Sequence, residues 1–198
     1  MNPNSGPGTA PIPDYQRVID YCHARGQHVI AYVHTSYGGR TAAAVKADID
    51  TSYAFCPGID GIFLDEMSNA ASTRSYYQYL YAAIKAKPGV RDVVGNPGAA
   101  ASTSWQLDTP VADEVVVFEG PAANYQRWTA PPWTAAKPAS RLVHIVYAAA
   151  TAGAMQQTCS RSKRLNAGLV YVTDDTLPNP WDTLPAGSHD GAARSGRW

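Results

Sequence analysis

Short apolar runs recur along the chain at intervals of about 23 to 33 residues, the length of one strand-and-helix unit. Most of these runs are apolar throughout, as is typical of strands that are covered on both faces in a parallel sheet. They predict six strands, at residues 28–33, 59–64, 92–95, 114–118, 141–147 and 168–172. The segments between them predict helices at 13–25, 41–55, 72–85 and 152–165. This alternation constrains the chain to the α/β class.

The strand count favours a (β/α)8 TIM-type barrel that forms a single domain over residues 1–198. Such a barrel usually takes about 250 residues, although examples of about 200 occur. The tail of a seventh strand falls at Asn2-Pro3, so we expect the barrel to lack its first strand and most of its second at the amino terminus. The alternative is an open doubly wound sheet, which usually carries a glycine-rich phosphate turn. The segment Gly6-Pro7-Gly8 contains a proline and lacks the third glycine of such a turn.

The charge balance and the aromatic content narrow the choice of partner. Lys plus Arg and Asp plus Glu are both 16, and the sequence has no basic stripe, which argues against a nucleic acid. No apolar stretch approaches the length of a membrane span, and no signal-peptide pattern opens the chain. The chain has 12 Tyr and 5 Trp against 3 Phe. Such amphipathic rings suit surfaces that stack on sugars, although they also serve in ordinary packing.

Polar side chains follow nearly every predicted strand. They are His34, Asp65 with Glu66, Asn96, Glu119, Tyr147, and Asp174 with Asp175. In a barrel of parallel strands these positions converge on one mouth, where such folds hold their ligands. One residue of this kind is ordinary loop polarity, but polar groups at nearly all strand ends predict a binding site.

The adjacent carboxylates Asp65 and Glu66 end an apolar Ile-Phe-Leu run. Ionised carboxylates are seldom buried unless they are paired or functional, which makes this pair a candidate for catalysis. The structural alternative is that Asp65 caps the following helix and Glu66 lies in its first turn. The pattern alone leaves both interpretations open.

Glu119 directly follows the run Val-Val-Val-Phe and precedes a glycine. Burial against apolar residues raises a carboxyl pKa and suits a general acid. The Glu119 strand is the second strand after that of Asp65 around the predicted barrel, so the carboxylates can face each other across a ligand, as glycoside hydrolysis requires. A metal site that includes His34 is the competing use, but catalytic zinc usually has more than one histidine. The chain also lacks a Gly-x-Ser-x-Gly elbow, which argues against a nucleophilic serine. We therefore predict no bound metal, no cofactor and no catalytic serine.

Three cysteines and one histidine have structural interpretations. The cysteines are Cys22, Cys56 and Cys159. Their wide spacing favours isolated thiols, while a Cys22–Cys56 disulfide stays open. His144 lies inside a predicted strand and is interpreted as a core histidine.

Three of the five tryptophans follow the predicted Glu119 strand or the last predicted strand. Trp128 and Trp133 follow the Glu119 strand and form either a platform for sugar stacking or a cover for the helix layer. Trp181 follows the last strand and is interpreted as part of a structural lid or tail.

Five segments resemble the spherulin-4-like family. They are 2–8 (Asn-Pro-Asn-Ser-Gly-Pro-Gly), 32–38 (Tyr-Val-His-Thr-Ser-Tyr-Gly), 60–66 (Asp-Gly-Ile-Phe-Leu-Asp-Glu), 117–119 (Val-Phe-Glu) and 171–175 (Tyr-Val-Thr-Asp-Asp). The resemblance implies a (β/α)8 barrel and a glycoside hydrolase of family 135. It also implies endo-cleavage of α-1,4-linked N-acetylgalactosamine in a secreted galactosamine-rich exopolysaccharide, with Asp65, Glu66 and Glu119 as the acidic residues. The expected location is therefore secreted or at the cell surface.

The resemblance and the strand ends together set the expected roles. We assign Asp65 as nucleophile or base, Glu119 as acid, and Glu66 as the residue that holds a sugar hydroxyl or tunes Asp65. In an α-linked galactosamine unit the acetamido group is cis to the leaving group, so a carboxylate or a water must attack instead. A carboxyl separation of about 5–5.5 Å implies retention, and one of about 6.5–9.5 Å implies inversion.

The expected substrate-binding residues are His34, Tyr37, Asn96, Tyr147 and Asp174. For Asn96 the alternative is turn chemistry, because Asn-Pro-Gly is a turn sequence. The rival function is a non-catalytic carbohydrate-binding or matrix protein on the same scaffold. An incomplete barrel also exposes a sheet edge, from which we expect self-association.

Overall fold

The structure is a computed structural model and describes residues 1–185. The chain divides into two compact units. The first comprises Met1–Pro97 and Trp105–Glu114, and the second comprises Gly98–Ser104 and the chain from Val115 onward. The predicted single domain over 1–198 extends beyond the described residues and stays a prediction.

Residues 1–185 contain six strands, and within each unit the strands that follow one another in the chain pair in parallel. In the first unit these are β1 (Ile30–His34), β2 (Gly61–Asp65) and β3 (Asp92–Gly95), and the others are β4 (Glu114–Pro121), β5 (Leu142–Tyr147) and β6 (Leu169–Val172). The helices are α1 (Pro13–His23), α2 (Ala42–Phe55), α3 (Arg74–Lys85), α4 (Trp105–Asp108), α5 (Ala122–Tyr125) and α6 (Ala152–Arg164). The α/β class and the six strands predicted from the apolar runs are confirmed.

The two faces of the sheet in the first unit differ in their burial. The pairing is parallel, with His34 opposite Asp65 and Leu64 opposite Gly95. Val33 and Leu64 are fully buried, as are the core residues of α2 and α3. Ile30, Tyr32 and His34 of β1 and Phe63 and Asp65 of β2, which alternate with them, are half-buried. Because side chains alternate along a strand, these half-buried residues share the other face of the sheet.

The outer edge of β1 is paired with the first residue of the chain. The Tyr32 amide donates to the Met1 carbonyl at 2.9 Å, and the Met1 amino group donates to the Ile30 carbonyl at 2.6 Å. Met1 therefore bonds to β1 as a residue of a neighbouring parallel strand would. Asn2 and Pro3, where the strand tail was predicted, have no strand assignment, and the strand-like pairing falls on Met1 instead. Self-association and the missing strands of the barrel stay predictions.

In the second unit, β4 runs further than the sequence predicted. Its register against β5 shifts at Val117 and then continues from Phe118 to Pro121. The prediction that the strand ends at Phe118 is therefore wrong, because the Gly-Pro pair still follows the ladder of β5. Glu119 lies within the strand, opposite Ile145, and not at its exit.

Candidate active site

The carboxylate of Asp65 is held by one donor on each oxygen. The Tyr32 hydroxyl donates to Oδ2 at 2.7 Å, and the Asn96 amide donates to Oδ1 at 2.8 Å. Tyr32 belongs to β1 and Asn96 directly follows β3, so the strands on both sides of β2 orient this side chain. Asn96 is only 5% exposed, which suits a residue that positions Asp65. Its predicted contact with sugar stays a prediction.

His34 lies opposite Asp65 on the neighbouring strand. Its Nδ1 atom is 2.9 Å from the Ser5 carbonyl oxygen. A carbonyl can only accept, so Nδ1 carries the hydrogen, and in the neutral ring Nε2 is left as an acceptor. His34 is thus held in one orientation beside the Asp65 position.

Glu66 turns the chain directly after β2 ends at Asp65. Its φ of 51° lies in the left-handed region, which is uncommon for a residue with a side chain. Its carbonyl accepts from the Thr35 hydroxyl at 2.7 Å and from the Tyr37 amide at 2.6 Å. Because the strand has ended, Glu66 escapes the alternation that would point it away from Asp65.

A buried hydroxyl chain supports this turn. Thr35 donates to Glu66, so the Tyr77 hydroxyl, 2.9 Å from Thr35 Oγ1, must donate to Thr35. The Tyr77 oxygen in turn accepts from the Ser68 amide at 2.7 Å. Burial raises the pKa of Tyr77, which keeps its phenol protonated as a donor. Helix α3 therefore reaches the backbone of Glu66 through two hydroxyls.

The Glu66 carboxylate is free, in contrast to that of Asp65. Within residues 1–185, it forms neither a hydrogen bond nor an ion pair. The neighbouring Tyr37 is 62% exposed. No helix starts at Glu66, because the chain first reaches a turn of 3-10 helix at Ala71–Thr73. The alternative that Asp65 and Glu66 serve to start a helix is therefore wrong.

In the second unit, Glu119 faces the side of the sheet away from the buried helix layer. Phe118, one residue before it, belongs to a buried cluster with Tyr125, Val146 and Val170. Glu119 is half-buried and shares a cross-strand row with Ile145 and Tyr171, which also lie outside that cluster. The register of β4 thus directs Glu119 to the face with fewer covering residues.

Two tyrosines on this face contact Trp181. The ring centroids of Tyr147 and Trp181 are 5.8 Å apart, and those of Tyr171 and Trp181 are 5.9 Å apart. Burial is the main cause that raises the pKa of Tyr171, and the charges of Asp175 and Asp174 add to it. Both carboxylates therefore lie within electrostatic reach of the Tyr171 ring.

Asp175 is tied to the segment that carries Trp181. The Thr183 hydroxyl donates to its Oδ2 at 2.5 Å, and the Thr176 amide donates to its Oδ1 at 2.7 Å. The bond from Thr183 is the main cause that lowers the pKa of Asp175, and the bond from the Thr176 amide adds to it. The chain from Asp175 to Thr183 is thereby closed into a loop after β6.

His144 is a core residue, as predicted. It is fully buried, and its Nδ1 is 2.6 Å from the Tyr125 hydroxyl. Within residues 1–185 its Nε2 has no hydrogen-bond partner. Burial lowers the pKa of His144 to about 4, and the charge of Arg161 contributes. The ring is therefore neutral at physiological pH.

The remaining aromatic and sulfur-containing candidates are structural. Trp128 packs against the buried cluster of Phe118 and Tyr125 and also contacts His144. Trp133 donates to the Ala101 carbonyl at 3.0 Å. These contacts favour the interpretation that the two tryptophans cover the helix layer over the interpretation that they form a platform for sugar stacking. All three cysteines are free thiols, so the Cys22–Cys56 disulfide is absent.

Two absences hold for residues 1–185. This part of the chain has no group of three or more His, Cys, Asp or Glu side chains placed to hold a metal ion. Nor does it contain a helix with the length and apolar character needed to cross a membrane.

The chain matches the profile of Spherulation-specific family 4 over residues 1–192. It belongs to that family. Spherulin-4 of Physarum polycephalum, a family relative, is 35% identical over 185 residues. The match covers 88% of this chain and 54% of Spherulin-4, so the chain spans about half the length of that relative.

A solved structure has the same fold as this family member. It is the crystal structure of Aspergillus clavatus Sph3 in complex with GalNAc, with a TM-score of 0.74 and 23% sequence identity. The match covers 88% of this chain and 76% of that one. The similarity to the spherulin-4 family inferred from the five segments is confirmed, and so is the fold.

Three residues of the site were missed from the sequence. Tyr32 precedes His34 by two residues, so strand alternation alone places both on one face and could have found it. Tyr77 lies in a tyrosine-rich helix, and no local pattern distinguishes it from its neighbours. Trp181 is far from Tyr147 in sequence, and only the folded loop after the last strand brings the two rings together.

Proposed function

We propose that the chain is an endo-acting glycoside hydrolase of an amino-sugar exopolysaccharide, an α-1,4-linked polymer of N-acetylgalactosamine and galactosamine. The observation that carries this proposal is the pair of carboxylates at the end of β2, of which Asp65 is oriented and Glu66 is free. Membership of Spherulation-specific family 4 and the similarity to a protein crystallised with GalNAc support the choice of sugar. A secreted or cell-surface location follows from the same proposal.

Asp65 acts as nucleophile or base in this proposal. The Tyr32 and Asn96 donors fix both of its oxygens, which suits a group that must meet one atom of the substrate. Glu66 has acceptor capacity to spare and holds a sugar hydroxyl. His34 and Tyr37 flank these two carboxylates and contact the substrate.

Glu119 acts as the general acid. It protonates the glycosidic oxygen as the bond to the anomeric carbon breaks, while Asp65 or a water activated by Asp65 attacks that carbon. An α-linked unit carries its acetamido group cis to the leaving group, so the substrate cannot supply this attack. Tyr147 and Asp174 bind neighbouring parts of the polymer.

The test is cleavage of partially deacetylated α-1,4-galactosamine polymer, followed by the appearance of new reducing ends. We expect Glu119→Gln and Asp65→Asn each to lower kcat by about 100-fold to 10,000-fold, the usual contribution of such groups. Asp20→Asn is the matched control, because Asp20 is exposed on α1. NMR of the anomeric product at early times then distinguishes retention from inversion.

Two outcomes contradict this proposal. If Glu119→Gln keeps most of the activity, Glu119 is not the acid. If the unaltered protein binds the polymer but releases no reducing ends, the chain is a carbohydrate-binding or matrix protein instead. Thermal melting of each variant shows that a loss of activity is not a loss of folding.

A further inference from the structure

Three aromatic residues of the second unit form a cluster, of which only Tyr147 has a role in the proposed function. We call Tyr147, Tyr171 and Trp181 the aromatic triad. Tyr147 ends β5, Tyr171 lies in β6, and Trp181 comes from the loop that follows β6. Among the described tryptophans of this unit, Trp128 and Trp133 are half-buried, whereas Trp181 is 41% exposed.

The strand register places this triad near Glu119. Glu119, Ile145 and Tyr171 form one row across three strands, and Tyr147 lies opposite Pro121, two residues beyond Glu119. Strands in a sheet lie about 4.8 Å apart and rise about 3.3 Å per residue. The Cα atoms of Tyr147 and Tyr171 are therefore each about 8 to 10 Å from that of Glu119. A short oligosaccharide spans this distance.

The two tyrosines meet Trp181 in edge contacts and not in a stacked arrangement. The interplanar angles are 86° with Tyr147 and 62° with Tyr171, so neither tyrosine ring lies parallel to the indole. The Trp181 amide donates to Asn179 Oδ1 at 3.3 Å, and the Thr183–Asp175 hydrogen bond closes the loop around it. The indole is thus both exposed and held in place.

We infer that the aromatic triad, with Trp181 as its outer surface, stacks against a sugar ring of the polymer next to the unit that meets Glu119. Sugar rings present flat apolar patches of C–H groups and a rim of hydroxyls. An exposed indole complements the C–H patch, and the carboxylates of Asp174 and Asp175 accept from the hydroxyls. This inference rests on the proposed function, because it takes the same polymer as the ligand.

Three substitutions of Trp181 separate stacking from simple covering of the tyrosines. Trp181→Leu keeps an apolar side chain but has no aromatic face, and Trp181→Phe restores an aromatic face. Trp181→Ala removes both. Tyr79→Ala is the control, since Tyr79 is an exposed aromatic residue (49%) on α3 of the first unit.

The measurement is binding of a partially deacetylated α-1,4-galactosamine oligosaccharide by titration calorimetry. All variants carry Glu119→Gln so that the oligosaccharide is not consumed. We expect Trp181→Leu and Trp181→Ala to bind about tenfold more weakly, and Trp181→Phe to stay within about threefold of the parent. Tyr79→Ala should bind as the parent does.

The outcomes separate this inference from the proposed function. If the parent binds and the leucine variant loses affinity with rescue by phenylalanine, the triad is a sugar-binding surface whether or not the unaltered protein cleaves the polymer. If the unaltered protein cleaves the polymer and Trp181→Leu changes neither affinity nor KM, the inference is wrong while the proposed function stands. If the parent binds no oligosaccharide, the inference is wrong.

Discussion

The two units present their acidic residues in different ways. In the first unit, side-chain donors from two neighbouring strands orient Asp65, and a hydroxyl chain from α3 holds the turn at Glu66. In the second, Glu119 lies in the middle of β4, and the backbone ladder to β5 sets its direction. A carboxylate that is oriented by side chains is sensitive to the loss of a single hydroxyl. One that is oriented by a strand is sensitive mainly to changes in register.

The largest difference that we expect between the units is in their response to pH. The pKa of His144 is lowered to about 4 from its ordinary value of 6.5, chiefly by burial. The neutral ring is favoured in the folded chain, so the unfolded chain binds the proton first as the pH falls. The stability that this provides is complete above pH 6.5 and is lost progressively down to about pH 4, by about 3 kcal/mol in total.

Asp60 of the first unit loses its contribution to stability at a lower pH than His144 does. Burial acts to raise its pKa, but bonds from the Val29 amide and from His23, with the charges of His23 and His28, lower it below 3.8. Its contribution to stability is present above pH 3.8 and lost as the pH falls further.

Urea unfolding from pH 7 to 4.5 should show a smaller loss of stability in His144→Gln than in the unaltered chain. An equal loss in both would contradict the assignment to His144.

Removal of the Tyr77 hydroxyl tests the support of the first unit. In Tyr77→Phe the Ser68 amide loses its acceptor and the Thr35 hydroxyl its donor, which should lower the free energy of unfolding by about 2 kcal/mol. Tyr76→Phe is a matched control one residue away. Among residues 1–185 the buried Tyr76 hydroxyl has no hydrogen-bond partner, so its removal should cost nothing. If the two variants were equally stable, the hydroxyl chain would make no measurable contribution to the free energy of unfolding.

The smallest expected effect comes from Tyr32→Phe. The substitution removes the donor to Asp65 Oδ2 and leaves the ring, which stacks on Phe63 with centroids 6.2 Å apart. We expect kcat/KM on the polymer to fall by about tenfold, or about 1.4 kcal/mol, with little change in melting temperature. If kcat/KM is unchanged, the Asn96 amide alone is sufficient to orient Asp65.

The elements of the fold could be predicted because their signal is local. Apolar runs with regular spacing predicted the six strands that residues 1–185 contain, and Asp65 was recognised as the end of a strand because the apolar pattern stops there. The extent of β4 could not be predicted, since Gly120-Pro121 is typical of a strand end and only the ladder of β5 carries the strand past it. The left-handed turn at Glu66 also has no local cause. It depends on Thr35, which is 31 residues away in sequence, and on Tyr77 of α3, and these residues meet only in the folded chain.

The link from Tyr77 to Glu66 has a consequence for how activity can change over generations of variants. Tyr77 lies in the helix layer, with Leu80 and Ile84 further along the same buried face of α3. A substitution at one of these positions that shifts α3 moves the Tyr77 hydroxyl, and through Thr35 it moves the carbonyl of Glu66. Selection for altered cleavage should therefore enrich α3 positions that never meet a sugar. The effect of replacing Glu66 should in turn depend on which residues α3 carries.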